Sequence, residues 1–571
     1  MEIHVESTAD AYLALLAQRG IKFFFANGGT DFAPLVEGFA KRAAEGEPCP
    51  TPILCPHEST AVSMAHGYTM ITGEPQVVMV HVTVGTANAA AQIMNASRAQ
   101  VPILFSAGRT PINEEGVLGN RNVYIHWAQE SRDQAAMLRE YVKWDYELRN
   151  SGQLETVVDR ALTLAMADPP GPVYLTLPRE VLAEKQQTLS LRREEVRFGQ
   201  ASPQPNADQI EQAAELLAGA KSPLIIAGAA GANPDAVSLL VDLAETGAIP
   251  VVEFQHLYTN FPSDHPLHLG FNHAGLLEEA DVVVVLETDV PWMPAFSKPK
   301  DSTPIIHLGR DPYYSNYTIR GFPIDVSLVG DPAAGLRNLR AALAPRLKGK
   351  EAALEARREQ HRVVHEEQRA EWAKAAEAAG REKPIDYRWV SHCINQVYDD
   401  DTILVNEYDL LPNHVDFKRP GAFFASSHAS GLGWALGASL GVKLADPDKT
   451  VIATVGDGSY IFNSPTSAHF ISRAQNLPFL TIIFNNQCWN AVRRAAEGLY
   501  PDGWASGRNQ FPLSDLEPSP HFEKMMELHE GYGERVDEPG ELPAALERAL
   551  RAVREEGRQA LLNVICKHPS M

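Results

Sequence analysis

The chain is poor in cysteine, in positive charge and in long apolar runs. Its five cysteines, at 49, 55, 393, 488 and 566, are too few and too scattered for a disulfide framework or a zinc site. Lysine and arginine number 50 against 72 aspartates and glutamates, a formal net charge of -22. A field of that sign repels nucleic acid and anionic membranes, so neither is expected as a partner. The longest apolar runs, such as VVVVL at 282–286, are far too short to span a bilayer. No N-terminal segment combines a basic end, an apolar core and a small-residue cleavage site. These absences lead to the expectation of a reduced, cytoplasmic protein.

What is present is ordinary globular material, 44% hydrophobic and 21% charged over 571 residues, enough for three or four domains. STADAYLALLAQRG (7–20) has a hydroxyl start, helical apolar spacing and a terminal glycine. IKFFFAN, QVVMVHV, VPILFSAG and PVYLTLP read as short buried strands. The same alternation returns with PLIIAGA, IPVVEF, DVVVVLE and TPIIHLG, and again with TILVNEY, TVIATVG, FLTIIFNN and ALLNVIC. The fold class expected is α/β, with three doubly wound parallel-sheet domains over 1–185, 206–345 and 386–571. The polar stretch 185–205 reads as a linker, and the charged stretch after 345 as a solvated helix joining two domains.

Chemistry concentrates at strand ends. TVIATV runs into Gly456-Asp457-Gly458-Ser459, and FLTIIF ends at Asn485-Asn486. Ligands of open α/β sheets sit at that edge, and glycines there let a backbone approach them closely. One carboxylate and one amide oxygen suit a hard cation that also binds substrate phosphates, as magnesium does. Free N–H groups in the turn would add to a diphosphate grip.

These motifs resemble those of the thiamine-diphosphate family that holds acetolactate synthase, pyruvate decarboxylase and benzoylformate decarboxylase. The resemblance runs over nearly the whole chain. It implies pyrimidine-binding, central and diphosphate-binding domains in that order, with Mg2+ bound by Asp457, Asn486 and the Cys488 carbonyl. The spacer from Ser459 to Phe484 is slightly longer than the family pattern, which leaves Asn485 and Asn486 as alternatives. SGLGWALGASLG (430–441) resembles the segment under the thiazolium ring. Leu432 would bend the cofactor and the Ser430 carbonyl would accept from its amino group. The recurrence of glycine at 433, 437 and 441 equally describes close helix packing. Glu58, in PHESTAVSMAHGY, matches the glutamate that shares a proton with the pyrimidine ring. Its other reading is a first-turn helix residue. His81, in HVTVGTAN, stands where benzoylformate decarboxylase has a catalytic histidine and is the expected proton-transfer residue. His126, His273 and His428 are weaker candidates.

The implied activity is decarboxylation or carboligation of a small 2-oxo acid through a carbon-2 carbanion and an enamine, by a homodimer or homotetramer. Acyl-CoA chemistry, with Arg493 and Arg494 facing a nucleotide tail, and a catalytically silent cofactor-binding paralogue are the alternatives. Three departures stand out. Val492 replaces the glutamate of pyruvate-specific members. ETDVPWMP (287–294) lacks the flavin-binding pattern, so FAD is not expected, and Trp292 and Met293 border either the substrate entrance or the core. Asp409 lies in the diphosphate loop, where small or hydroxyl residues are usual.

Overall fold

A computed structural model describes residues 2–568 apart from 194, 195, 197, 199–202 and 274. Three parallel sheets follow one another along the chain. The first has the strand order Thr51–Leu54, Phe23–Ala26, Gln76–Val80, Ile103–Arg109, Val173–Pro178, Asp145–Glu147. The second runs Val251–Glu253, Pro223–Ala227, Val282–Leu286, Ile305–Gly309, Val326–Val329. The third runs Phe423–Ala425, Thr402–Glu407, Thr450–Gly456, Leu480–Asn485, Ala560–Ile565, Tyr532–Val536. The strands expected from the sequence are the interior ones, together with the buried edge strand Val251–Glu253 of the second sheet. The edge strands Thr51–Leu54, Asp145–Glu147 and Tyr532–Val536 were not legible, because they are half exposed and lack the continuous apolar run of a doubly covered strand.

Helices start where short polar side chains cap them. Asn206, Asn233 and Asp331 each accept a hydrogen bond from a first-turn backbone N–H, and proline follows directly at 234 and 332. The charged stretch forms one helix, Glu351–Ala379, that buries only Leu354, His365, Ala376 and Ala379. The stretch 185–205 is not all connection. Thr188–Ser190 pairs antiparallel with Glu2–His4 and buries Leu189, while 194, 195, 197 and 199–202 lie outside the described residues. Among the described residues, no helix is long and apolar enough to cross a membrane.

The largest apolar cluster is shared by the first and third sheets. At its centre the helix Glu58–Thr72 crosses the helix Ala435–Ala445. The glycine repeat makes that crossing possible. A Cβ on Gly441 would sit 1.9 Å from the Met64 carbonyl oxygen, and one on Gly67 would sit 2.1 Å from that of Ala438.

Candidate functional site

In each outer sheet the strand order reverses beside the second strand of the list above. That reversal opens a crevice at the carboxyl ends of two neighbouring strands, where doubly wound sheets bind ligands. The sequence puts its unusual residues at both crevices.

The N-terminal crevice lies between Phe23–Ala26 and Gln76–Val80. His81 follows the second strand and caps the helix Val82–Arg98. Its Nδ1 lies 2.5 Å from Asp31 Oδ1, and Asp31 is almost fully buried. Asp31 Oδ2 also accepts from the Val82 N–H at 3.4 Å. The space for this pair comes from missing side chains. A Cβ on Gly29 would fall 2.1 Å from His81 Nδ1, and one on Gly108 would fall 1.8 Å from Asp31 Oδ2. Val82, a β-branched residue, is held at φ +32, a strained conformation of the kind that gathers at functional sites. The bond to Asp31 raises the His81 pKa above the ordinary imidazole value, against the opposing effect of burial. Gln129 Nε2 lies 3.3 Å from His81 Nε2, while the Gln129 Oε1 is buried without a partner. Half a turn of that amide gives the protonated ring an acceptor on each nitrogen.

Glu58 opens its helix at a buried position, with its Oε2 accepting from Asn88 Nδ2 at 3.2 Å. Its negative charge is among those that favour protonated His81. His126 is a neighbour, 3.4 Å from Thr30 Oγ1, with its pKa lowered by burial and then by Arg179 and Arg121. Asp31, Gln129 and Asn88 escaped the sequence reading. The signal for Asp31 was an acid directly after Asn-Gly-Gly-Thr at a strand end, and the other two lie on surrounding segments that no local pattern marks.

The C-terminal crevice lies between Thr402–Glu407 and Thr450–Gly456. Asp457 starts a short helix, Asp457–Phe462, at the end of the second strand. It is 2% exposed, and its Oδ2 has no hydrogen-bond partner. Burial raises its pKa to about 6, opposed by the backbone N–H groups of Gly458, Gln487 and Cys488. The glycine-flanked acid and the double-asparagine loop therefore do meet. Asn485 Nδ2 is bonded to Asn563 and Ser519, each at 2.9 Å, within the sheet. Asn486 donates to Tyr387 Oη at 2.8 Å, and its Oδ1 accepts only from the Cys488 N–H. Ser459 is buried behind the turn.

The segment 430–432 is anchored from the N-terminal domain. Asn95 Nδ2 donates to the Gly431 carbonyl at 2.7 Å, and Gln92 Nε2 to the Leu432 carbonyl at 2.9 Å. Ser430 is exposed at φ +55, and Leu432 is half-buried. Tyr408, Asp409 and Gln487 also have positive φ, so strained non-glycine backbone gathers round this crevice.

Other candidates are accounted for by packing. His428 is tied to the central domain, with Nδ1 2.8 Å from Asp289 and Nε2 2.8 Å from the Gln255 carbonyl oxygen. His273 stacks on Phe254 with a pKa lowered by burial. Trp292 is core, against Phe322, and Met293 is exposed. Arg493 is engaged by Glu497 and Asn509 and lies over Phe511. Val492 is exposed on the helix Asn490–Leu499.

Two half-sites thus stand in one chain. Among the described residues, no hydrogen bond or ion pair joins Glu58 or His81 to Asp457 or Asn486.

Comparison with known proteins agrees with both halves. Residues 6–137 match the description "Thiamine pyrophosphate enzyme, N-terminal TPP binding domain", 210–339 match its central domain and 409–564 its C-terminal TPP binding domain. The chain belongs to the thiamine pyrophosphate enzyme family. It is 24% identical over 517 residues to the acetolactate synthase isozyme 3 large subunit of Escherichia coli, covering 88% of this chain and 86% of that one. It is 26% identical over 511 residues to a benzoylformate decarboxylase of Pseudomonas aeruginosa, covering 86% and 88%. Its fold is shared with a thiamine diphosphate-dependent 4-hydroxybenzoylformate decarboxylase of Rhodococcus jostii, with a TM-score of 0.76 at 22% identity over 99% of this chain and 100% of that chain.

Proposed function

We propose that the protein is a thiamine-diphosphate- and Mg2+-dependent 2-oxo acid decarboxylase or carboligase, working as a homodimer or a larger assembly of such dimers. The observation that bears most weight is the bond from His81 to buried Asp31, which raises the His81 pKa, with the charge of Glu58 adding to it. A reaction that makes an alkoxide and later protonates carbon needs such an acid beside the cofactor.

The residues fit the implied groups. Asp457 Oδ2, buried and unpartnered, is the oxygen a divalent cation would take, with Asn486 Oδ1 and the Cys488 carbonyl beside it. Asn485, spent inside the sheet, is the poorer candidate. The backbone of Gly456, Gly458 and Ser459 would line the diphosphate. Leu432 and Ser430 would lie against the rings. Thiamine diphosphate supplies, when bound, a thiazolium carbon acid that adds to a carbonyl. Glu58 would hold a proton shared with the pyrimidine nitrogen. His81 would deliver a proton through Nε2 to the substrate oxygen and take it back later.

Homodimerisation follows from the split site. Exposed apolar side chains lie on the segments that carry each half-site, Tyr124 and Trp127 beside His126 and Ile461 and Phe462 on the helix that Asp457 starts. Patches of that kind mark interaction surfaces. A second copy related by a two-fold axis would set the Glu58 half of one chain against the Asp457 half of its partner. No observation favours the acyl-CoA reading, because Arg493 is already engaged.

The test is turnover on a panel of 2-oxo acids with thiamine diphosphate and Mg2+, measuring both carbon dioxide and ligated products. His81→Ala should lower turnover on the accepted acid by about 10²–10⁴-fold with cofactor affinity retained. Absence of both products across the panel, or an H81A loss under about tenfold, would overturn the reading.

A further inference from the structure

Building on that reading, we infer that Asp409 is a further ligand of the divalent cation, so that the C-terminal half-site binds the cation before any diphosphate arrives. In this family's pattern one carboxylate suffices, because the diphosphate provides the remaining negative charge. This chain departs from it.

The strand register brings the two acids together. Glu407 pairs with Val455 across the crevice, and two residues beyond each stand Asp409 and Asp457. The Asp409 side chain turns across the neighbouring strand end, where a Cβ on Gly456 would fall 2.3 Å from its Oδ2. The space above Gly456 is therefore used by a carboxylate. Asp457 Oδ2 is buried, without a partner, in the same crevice. Among the described residues Asp409 makes no hydrogen bond or ion pair that would neutralise it.

Two carboxylates at adjacent strand ends, Asp457 buried and Asp409 half-buried, can share a proton or a cation. A shared proton would satisfy two oxygens only. Here Asp457 accepts from the backbone N–H groups of Gln487 and Cys488, so the loop that carries the Asn486 Oδ1 and the Cys488 carbonyl lies against it. Two carboxylates plus neutral oxygens are a donor set for a hard divalent cation. Among the described residues no cluster of three or more His, Cys, Asp or Glu exists, so the amide and carbonyl oxygens are integral to this set. Two protein carboxylates cancel the charge of a divalent cation without help from a ligand. The same charge makes the site less attractive to a free diphosphate until the cation is in place.

Titration with Mn2+ alone, followed by loss of the free-ion electron paramagnetic resonance signal, tests this on the full-length protein. The wild type should bind Mn2+ without cofactor, and Mg2+ should compete. Asp409→Asn should weaken binding of Mn2+ alone by about tenfold or more, while Mn2+ with thiamine diphosphate still binds. Asp409→Ser serves as a second variant, with circular dichroism confirming that each is folded. If the wild type binds Mn2+ only together with thiamine diphosphate, or if D409N and D409S bind Mn2+ alone as tightly as wild type, the inference falls and the proposed function stands. If Mn2+ binds neither alone nor with the cofactor, both fall.

Discussion

Asp31→Asn separates the charge of the Asp31–His81 pair from its shape. The two carboxamide and carboxylate side chains are nearly isosteric, and the Asn Oδ1 can still accept from His81 Nδ1 in the space that Gly29 and Gly108 leave. What disappears is the negative charge on a 2.5 Å bond between groups only 16% and 3% exposed. A hydrogen bond to a charged group is worth about 1.5–3 kcal/mol, against roughly 1 kcal/mol for a neutral one. Without that charge the His81 pKa should fall, because the bond to Asp31 is the largest effect that raises it and burial then opposes protonation unbalanced. The sign follows from the role. If His81 must be protonated, activity falls as pH rises through its pKa, so the alkaline limb of kcat/KM should move to lower pH in D31N. The acid limb should stay. Stability changes in step. The raised pKa contributes stability that is complete below the unfolded value of about 6.5 and is lost as pH rises through the folded value. The stability gap between wild type and D31N should therefore be widest in acid and close in alkali. A pH–rate profile on the accepted 2-oxo acid and an NMR titration of the His81 ring would measure both. An unmoved alkaline limb with an unmoved ring titration would refute the argument that Asp31 sets the protonation of His81.

Two further tests address assembly and packing. Glu58→Gln and Asp457→Ala should each be nearly inactive, yet unfolding and refolding them as a mixture should restore about a quarter of wild-type activity, since half the random two-fold dimers carry one intact site; no recovery would mean that each chain builds its site alone. Gly441→Ala should lower the denaturation midpoint, because a Cβ 1.9 Å from the Met64 carbonyl oxygen forces the crossed helices apart. The overpacking cost of about 1–3 kcal/mol exceeds the helix-propensity gain of about 1 kcal/mol, and an unchanged or raised midpoint would show that the helices do not meet this closely.

Much of the fold was legible because doubly covered strands leave a strong trace. TVIATVG, FLTIIF and VVVVL are continuous apolar runs, and each is an interior strand. Thr188–Ser190 was hidden, since three residues with one apolar side chain gain a strand only by pairing with the distant Glu2–His4. The same contrast runs through the site. Asp457 and Asn486 were readable because each directly follows a strand whose end fixes its position. Asp31 was not singled out, although it too follows a strand. Its meaning comes from His81, fifty residues on, and from two glycines that have room only because their side chains are absent.

The two half-sites also differ in the proton affinity their surroundings create. At the N-terminal crevice a buried carboxylate raises a histidine pKa, so the surroundings favour a bound proton. At the C-terminal crevice burial raises Asp457 to about 6 and leaves its Oδ2 without a donor, so the local need is for positive charge. A cofactor with an anionic tail and a nitrogenous ring system spans such a pair in one direction only, tail and cation toward Asp457, ring toward Glu58 and His81. Titratable groups whose surroundings push them apart in this way assign the acid and the charge clamp before any ligand is seen. Under the proposed function they would also set the orientation of a second chain, because only the arrangement that opposes unlike crevices would bring a proton donor to a metal-anchored anion. Like crevices brought face to face would instead stack two acid-rich pockets, and a chain with a net charge of -22 has few cations to offset that repulsion.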